Sequence, residues 1–276
     1  MFGEACECYV DEGAVYEAFL LQQLQEGSLT YKEDTTALVQ GSSAWFKARK
    51  SRLTGSNIAA AVGLSPYATP HSLWEKLTGK LPQQDLFTSS SATRHGNHYE
   101  DFVVKLYTDI TKRVVVETGF WLHPEHQKWL GASPDGLIGK NGVLEIKCPI
   151  HHVHETVPRY YMPQLQAEMA CTSRSYVDYC SWHYRPEKVG GTCSSSRGSS
   201  TSTGGKVSSK GRLRIMRVLK SDEYWSWLLI KMKLFWNCVE NDKSPRGVVG
   251  LEVPSMEPPA VIVTLLMDVD TAIPDK

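Results

Sequence analysis

Residues 129–149 have the sequence WLGASPDGLIGKNGVLEIKCP, which predicts a β-hairpin. An Asn-Gly pair at positions 141 and 142 is a strong signal for a tight turn between antiparallel strands. Alternate residues of a strand share a face, so Glu145 and Lys147 project to one side while the apolar residues that alternate with them enter the core. Asp135 comes from the neighbouring arm of the hairpin. The pattern therefore predicts two carboxylates and one ammonium group on one side of a sheet.

This grouping of charges suits a divalent cation. Two carboxylates ~4 Å apart repel each other by about 1 kcal/mol in water and by ~4 kcal/mol at a half-buried surface, and a divalent cation reverses the sign of that interaction. Oxygen ligands favour Mg²⁺ or Mn²⁺ over zinc. Such an ion lowers the pKa of a bound water and stabilises charge on a phosphate. Lys147 would orient the attacking water or neutralise the transition state.

The composition allows a sizeable hydrophobic core. Of the 276 residues, 41% are hydrophobic and 10% aromatic, which excludes wholesale disorder. The 30 Lys and Arg residues balance the 30 Asp and Glu residues, so the formal net charge is zero. This balance argues against a protein that coats nucleic acid through bulk charge, but it is compatible with a local basic channel.

Several features predict an intracellular protein, in either the cytoplasm or the nucleus. The longest apolar runs are shorter than the ~20 residues that a membrane-spanning helix needs, so no membrane contact is expected. The acidic N-terminus lacks the basic and apolar regions of a secretory signal. The seven cysteines are irregularly spaced and include no CxxC pair, which argues against a disulfide framework.

The chain divides into three predicted parts. Residues 1–40 are interpreted as a helical appendage that packs on the domain, with a partner-docking arm as the alternative. Residues 41–244 form the main domain, with a flexible insertion at about 190–211 whose Gly/Ser-rich composition buries too little apolar surface to order itself. Residues 245–276 form a Pro-rich C-terminal tail.

Apolar periodicity predicts an α/β architecture for the main domain. The predicted elements are helices over residues 93–112, 160–170 and 221–239 and strands over residues 114–121, 176–184 and 212–219. A further short helix begins at Ser56 and ends at Gly63. With the hairpin, these elements predict a central mixed β-sheet flanked by α-helices.

Six short motifs occur in a fixed order along the chain. They are AWFKAR at 44–49, LTGS at 53–56, GNHYE at 96–100, SPDGL at 133–137, LEIKCP at 144–149 and YMPQLQ at 161–166. Each alone is unspecific, but the ordered series resembles the family of phage lambda exonuclease and the YqaJ-type viral recombinase nucleases, within the PD-(D/E)xK nuclease superfamily. The resemblance spans about residues 45–182 and implies a restriction-endonuclease-like core.

The resemblance implies roles at the matching positions. Asp135 and Glu145 would ligate one or two ions of Mg²⁺ or Mn²⁺, with the backbone carbonyl of Ile146 completing one site. Lys147 would be the catalytic lysine. Glu100 would be the supporting acid of the metal site.

Two further groups of residues are implied in the same way. Gln164 would line the site and position water or ligand. Arg49, Ser56 and Ser133 would hold the 5′ phosphate of a DNA end. Independently, a serine at the start of a helix and an arginine are both suited to phosphate, through free N–H groups and bidentate hydrogen bonds respectively.

The implied activity is a metal-dependent exonuclease that degrades linear double-stranded DNA from the 5′ end during recombination or repair. An endonuclease on the same core and a non-catalytic module that binds DNA ends are the alternatives. The implied partners are double-stranded DNA with free ends, a single-strand annealing protein and further copies of the chain.

Two other patterns have competing interpretations. A run of six basic residues without an acid extends from 206 to 220, and within it Arg212 and Arg214 are candidates for DNA backbone contacts, with a solvated strand edge as the default. Histidine pairs such as His123 and His126 have a spacing compatible with zinc, but no cysteine pair accompanies them, so loop positions are the favoured interpretation.

Overall fold

The computed structural model describes residues 35–80, 91–185, 210–248, 251 and 257–272. Most of the predicted appendage at 1–40 and nearly all of the predicted insertion at 190–211 lie outside the described residues.

The described residues form a mixed α/β structure. Its helices are α1 Ser43–Arg49, α2 Gly55–Ala61, α3 Pro70–Leu77, α4 Ser91–Thr111, α5 Met162–Thr172 and α6 Asp222–Glu240. Its strands are β1 Leu53–Thr54, β2 Val115–Val116, β3 Trp121–Leu122, β4 Leu130–Ala132, β5 Gly136–Ile138, β6 Gly142–Lys147, β7 Tyr176–Arg185, β8 Lys210–Leu219 and β9 Val263–Ala272. The three long predicted helices correspond to α4, α5 and α6.

Six strands form the main sheet in the order β2-β5-β6-β7-β8-β9. The pair β6 and β7 is parallel, whereas the other neighbours are antiparallel, so the predicted central mixed sheet is confirmed. A parallel pair needs a crossover connection, and α5 provides it. A second, three-stranded sheet has the order β1-β4-β3.

The predicted hairpin is formed by β5 and β6, which pair with Gly136 opposite Leu144 and Ile138 opposite Gly142. Its turn contains Gly139 with a positive φ of 50°, a conformation that glycine adopts without steric cost. The turn spans residues 139–141 and Gly142 is already the first residue of β6, so the sequence placed the turn correctly although the positive φ lies at Gly139 and not in the Asn-Gly pair.

The hydrophobic core lies on both faces of the main sheet. On one face, Val103 and Tyr107 of α4 pack with Leu144 and Ile146 of β6. On the other face, α2, α5 and α6 pack against a second cluster that includes Val143. Because strand residues alternate, Glu145 and Lys147 share the face of Val143 and point toward α5.

The segment predicted as one strand over residues 114–121 is instead two short strands in different sheets, β2 and β3. The backbone between them passes close to the 3-10 helix Thr35–Ala37, where the N–H groups of Gly119 and Phe120 donate to carbonyls of that helix. A Cβ atom at Gly119 would lie 2.5 Å from the Leu38 carbonyl oxygen, so only glycine allows this approach. This contact diverts the chain, and a local pattern could not reveal it.

The predicted C-terminal tail contributes to the main sheet. Strand β9, from residues 263–272, pairs with β8 along most of its length and forms one edge of the sheet. Within the described parts of the chain, no helix has the length and apolar character needed to cross a membrane.

Candidate active site

Strand β6 and the start of β5 bring together the three residues that the hairpin pattern predicted. The Asp135 carboxylate precedes β5, and its Oδ2 accepts a hydrogen bond from the backbone N–H of Ile146 at 2.6 Å. Glu145 is only 1% exposed, and Lys147 Nζ donates a short hydrogen bond to Glu145 Oε1. One backbone contact and one ion pair thus hold two carboxylates and an ammonium group together.

Helix α5 packs against the face of β6 that carries Glu145 and Lys147. Gln164 Nε2 donates to Glu145 Oε1 at 2.5 Å and to Glu168 Oε1 at 2.8 Å. Residues four apart share a helix face, which explains why both side chains reach the same place. The sequence interpretation included Gln164 but missed Glu168. The four-residue spacing between a predicted site residue and a second polar residue on the same helix was the available signal.

A cavity of about 1110 Å³ connects these groups to solvent. Glu100 on α4 borders it and is partly buried. The structure therefore also places the predicted supporting acid on the wall of this cavity.

Burial and mutual repulsion shift the proton affinities of the acids. Burial raises the pKa of Asp135, and Glu145 and Glu100 raise it further. Burial, followed by Glu145, likewise raises the pKa of both Glu168 and Glu100. Burial lowers the pKa of Lys147, but the Glu145 and Asp135 carboxylates outweigh that effect and raise it above its ordinary value. The lysine is therefore a firmly charged ammonium group.

The charges of this group fit a divalent cation. When all four acids are ionised, their charges exceed the single positive charge of Lys147 by three, and a divalent cation would offset most of this excess. The Oε2 atoms of Glu145 and Glu168 are buried and have no hydrogen-bond partner among the described residues. Such atoms are costly unless a proton or a cation accompanies them.

The donor set suits magnesium more than zinc. Among the described residues, no three His, Cys, Asp or Glu side chains lie close enough together to coordinate one metal ion. Mg²⁺ commonly binds through one or two carboxylates and keeps several waters, and the two neighbouring carboxylates of Asp135 and Glu145 fit that preference. In contrast, His123 Nδ1 accepts the backbone N–H groups of Glu125 and His126, and burial lowers the His123 pKa to about 4. The hydrogen bonds of His123 therefore indicate a structural role for this histidine pair and not zinc binding.

A second group of predicted residues lies along the same cavity. Arg49 Nη1 donates to Ser133 Oγ at 2.9 Å, and Arg49 Nη2 donates to Ser56 Oγ at 3.5 Å. Trp45 completes the group, because its Nε1 donates to Ser133 Oγ at 3.0 Å and its ring lies 4.0 Å from the Arg49 guanidinium carbon. Burial lowers the Arg49 pKa to about 10, with Glu145 opposing that change. The guanidinium group is therefore charged and fixed in direction.

Residues 44–175 match the family model of the YqaJ-like viral recombinase domain. This part of the chain is similar to the YqaJ-like viral recombinase domain. The resemblance predicted from the ordered motifs is thus confirmed, and all the residues placed above lie within the matched range.

Relatives and solved structures agree with this result. The uncharacterised protein YqaJ of Bacillus subtilis is 26% identical over 138 residues, which are 48% of this chain and 43% of that protein, so the match spans less than half of the relative. A crystal structure of the alkaline exonuclease LHK-Exo from Laribacter hongkongensis has a TM-score of 0.54 at 22% identity and covers 73% of this chain and 94% of its own. LHK-Exo in complex with dAMP has the same TM-score at 23% identity. Both solved structures share the fold of this chain.

Strand β8 follows the range that matches the YqaJ-like domain, and its arginines are paired with acids. Arg212 donates to both carboxylate oxygens of Asp268 on β9, at 2.7 and 2.6 Å. Arg214 donates to Glu155. Neither arginine is among the residues that border the cavity. The basic run is therefore partly neutralised by acids distant in sequence, and its contact with DNA stays a prediction.

Proposed function

We propose that this chain is a metal-dependent deoxyribonuclease that hydrolyses phosphodiester bonds at the ends of linear double-stranded DNA in the 5′ to 3′ direction. The observation that supports it most is the single cavity bordered both by the carboxylate group and by the arginine–serine group. One group suits a scissile phosphodiester, and the other suits a terminal phosphate.

The spacing of the two groups supports an exonuclease in particular. Ser133 belongs to the arginine–serine group and Asp135 to the carboxylate group. The two residues are two positions apart, and two residues span at most ~7 Å of extended chain. This is comparable to the separation of neighbouring phosphates along a DNA strand. A terminal 5′ phosphate held by Arg49, Ser56 and Ser133 would therefore place the next phosphodiester at the carboxylates.

Each side chain has a role in this proposal. Asp135, Glu145 and the backbone carbonyl of Ile146 would hold Mg²⁺ or Mn²⁺, as one or two ions. When bound, the ion supplies a water of lowered pKa and neutralises charge on the phosphate. Lys147 stabilises negative charge that develops on the phosphate oxygens.

The remaining groups orient the reactants. Gln164 fixes Glu145 through its amide nitrogen, and Glu100 supports the cation site from α4. Arg49 binds the terminal phosphate through two N–H groups, which fixes its orientation as well as its position. The product, a 3′ single-stranded tail, suits recombination or repair with a single-strand annealing protein, and by resemblance further copies of the chain would assemble with it.

The test compares a 5′-phosphorylated linear duplex with a closed circle, each with Mg²⁺ or with EDTA. We expect progressive loss of the linear duplex alone, only with Mg²⁺. Lys147→Ala should abolish it, whereas Lys140→Ala, an exposed lysine in the turn of the same hairpin, should retain it. Cleavage of the circle would show an endonuclease instead. DNA that is bound but uncut would show a binding module.

A further inference from the structure

Glu168 lies in the site without a role in the proposal above. It is fully buried on α5, and its Oε1 accepts the hydrogen bond from Gln164 Nε2. We propose that Glu168 is a positioning residue of the cation site that acts through Gln164 on Glu145. This inference rests on the proposed function, because it concerns the cation that the same carboxylates would hold.

The hydrogen bonds define how Glu168 would act. The amide nitrogen of Gln164 carries two N–H donors, and both are used, one toward Glu145 Oε1 and one toward Glu168 Oε1. An ionised carboxylate only accepts hydrogen bonds, so when both acids are ionised the amide oxygen cannot replace the nitrogen at this position. The two acids therefore hold the Gln164 amide in one orientation.

This orientation determines which oxygen of Glu145 is free. Gln164 and Lys147 both donate to Oε1 of Glu145, while its buried Oε2 has no hydrogen-bond partner among the described residues. Glu145 thus presents one unused oxygen for a cation. Without Glu168, the amide could rotate, and Glu145 would lose part of the contact that selects this rotamer.

Glu168 lies close to the start of helix α2. A Cβ atom at Gly55, the first residue of α2, would lie 3.4 Å from Gln164 Cγ and 3.9 Å from Glu168 Oε1. The start of α2 therefore faces both side chains, and the next residue of α2 is Ser56, which accepts a hydrogen bond from Arg49. Glu168 consequently lies between the two halves of the site.

The experiment measures binding of MnCl₂ to the full chain by calorimetry, together with kcat and KM on linear duplex DNA. Glu168→Met keeps the length and helix preference of the side chain but removes the acceptor. We expect about tenfold weaker Mn²⁺ binding, as is common when a contact to a metal ligand is removed. The kcat should fall while KM for DNA stays unchanged. Glu168→Gln keeps an acceptor oxygen and should restore binding to within about threefold of wild type.

A double-mutant cycle tests whether Glu168 acts through Gln164. Adding Glu168→Met to Gln164→Met should weaken Mn²⁺ binding no further than Gln164→Met alone. If Glu168→Met fails to fold, Glu168→Asp replaces it, because the shorter acid keeps the charge but withdraws the acceptor, and it should also weaken binding. Gln166→Met is the matched control, since Gln166 is buried on the same helix but contacts Leu219 and Ser221. It should lower thermal stability and leave Mn²⁺ affinity unchanged.

The outcomes separate the two proposals. Wild-type protein that binds no Mn²⁺ and cuts no DNA would overturn the proposed function itself. Wild-type protein that binds Mn²⁺, with Glu168 variants that bind equally well, would overturn only the role of Glu168. Equal losses in Glu168→Gln and Glu168→Met would also overturn it, because charge rather than the hydrogen bond would then matter.

Discussion

Ser133 and Asp135 are separated by a single proline yet belong to different halves of the cavity. Ser133 Oγ accepts from Arg49, whereas Asp135 Oδ2 accepts from the backbone of Ile146. Hydrogen bonds at both ends fix this short segment, so a change on one side should affect positioning on the other.

Arg49 should determine the preference for phosphorylated ends. We expect Arg49→Gln to slow digestion of 5′-phosphorylated duplex by roughly 10- to 100-fold, the equivalent of a charged hydrogen bond of about 1.5–3 kcal/mol. Ends with a 5′ hydroxyl should be digested at the same rate as by wild type. Arg52→Gln is the control, because Arg52 donates to backbone carbonyls of Gln127 and Ala48. A retained phosphate preference in Arg49→Gln would contradict the assignment.

Asp135→Asn should separate cation binding from folding. The amide oxygen can still accept from Ile146, and one charge is removed from a group of mutually repelling acids. The cation-free variant is therefore expected to unfold at the same temperature as wild type or higher, while Mg²⁺ no longer raises that temperature. Differential scanning calorimetry with and without Mg²⁺ measures both effects. Asp109→Asn, at an exposed position of α4, should keep the full response to Mg²⁺.

The free energy of unfolding of the cation-free protein should fall as the pH rises above about 4, which is the ordinary pKa of a carboxyl group. Burial first, and then Glu145, raises the pKa of Glu168, and burial with Glu145 and Glu100 does the same for Asp135. The unfolded chain then loses protons before the folded chain does, so rising pH favours unfolding until the raised pKa values are passed. Because protons and Mg²⁺ compete for these groups, stabilisation by Mg²⁺ should grow over the same pH range. A stabilisation independent of pH would argue against this linkage.

Arg212 and Arg214 offer a test of DNA contact outside the cavity. Each lost phosphate contact reduces the slope of log affinity against log salt by about 0.9. We expect the double change to Gln to reduce the slope by less than two such contacts, because Asp268 and Glu155 already neutralise part of the charge. Filter binding at several salt concentrations measures the slope. An unchanged slope would restrict both arginines to a role within the sheet.

Local patterns predicted the elements that carry the chemistry. The hairpin could be predicted because its Asn-Gly turn and its alternating strand are short-range signals, and they placed Glu145 and Lys147 on one face. The long helices followed from apolar periodicity in the same way. Residues whose role depends on their own element were therefore accessible from the sequence.

Residues whose surroundings come from distant elements were accessible only where the ordered motifs pointed to them, as for Arg49 and Gln164, and the others were missed. In the sequence, Glu168 looks like any acidic residue of a helix. Its position beside Glu145 follows from the crossover between β6 and β7, which packs α5 against β6. The acids that pair with Arg212 and Arg214 of β8 come from residues more than 50 positions away, so the run of basic residues looked unopposed. The division of residues 114–121 into two strands likewise depends on a contact with residues 35–38.

The position of β9 has a practical consequence for anyone who shortens this chain. A protein ending at residue 244 would leave β8, a strand of 10 residues, with its outer N–H and C=O groups unpaired. An open edge of that length is a template for pairing with other chains, and aggregation of the shortened protein is the expected result. Solubility would therefore depend on a segment far from the cavity.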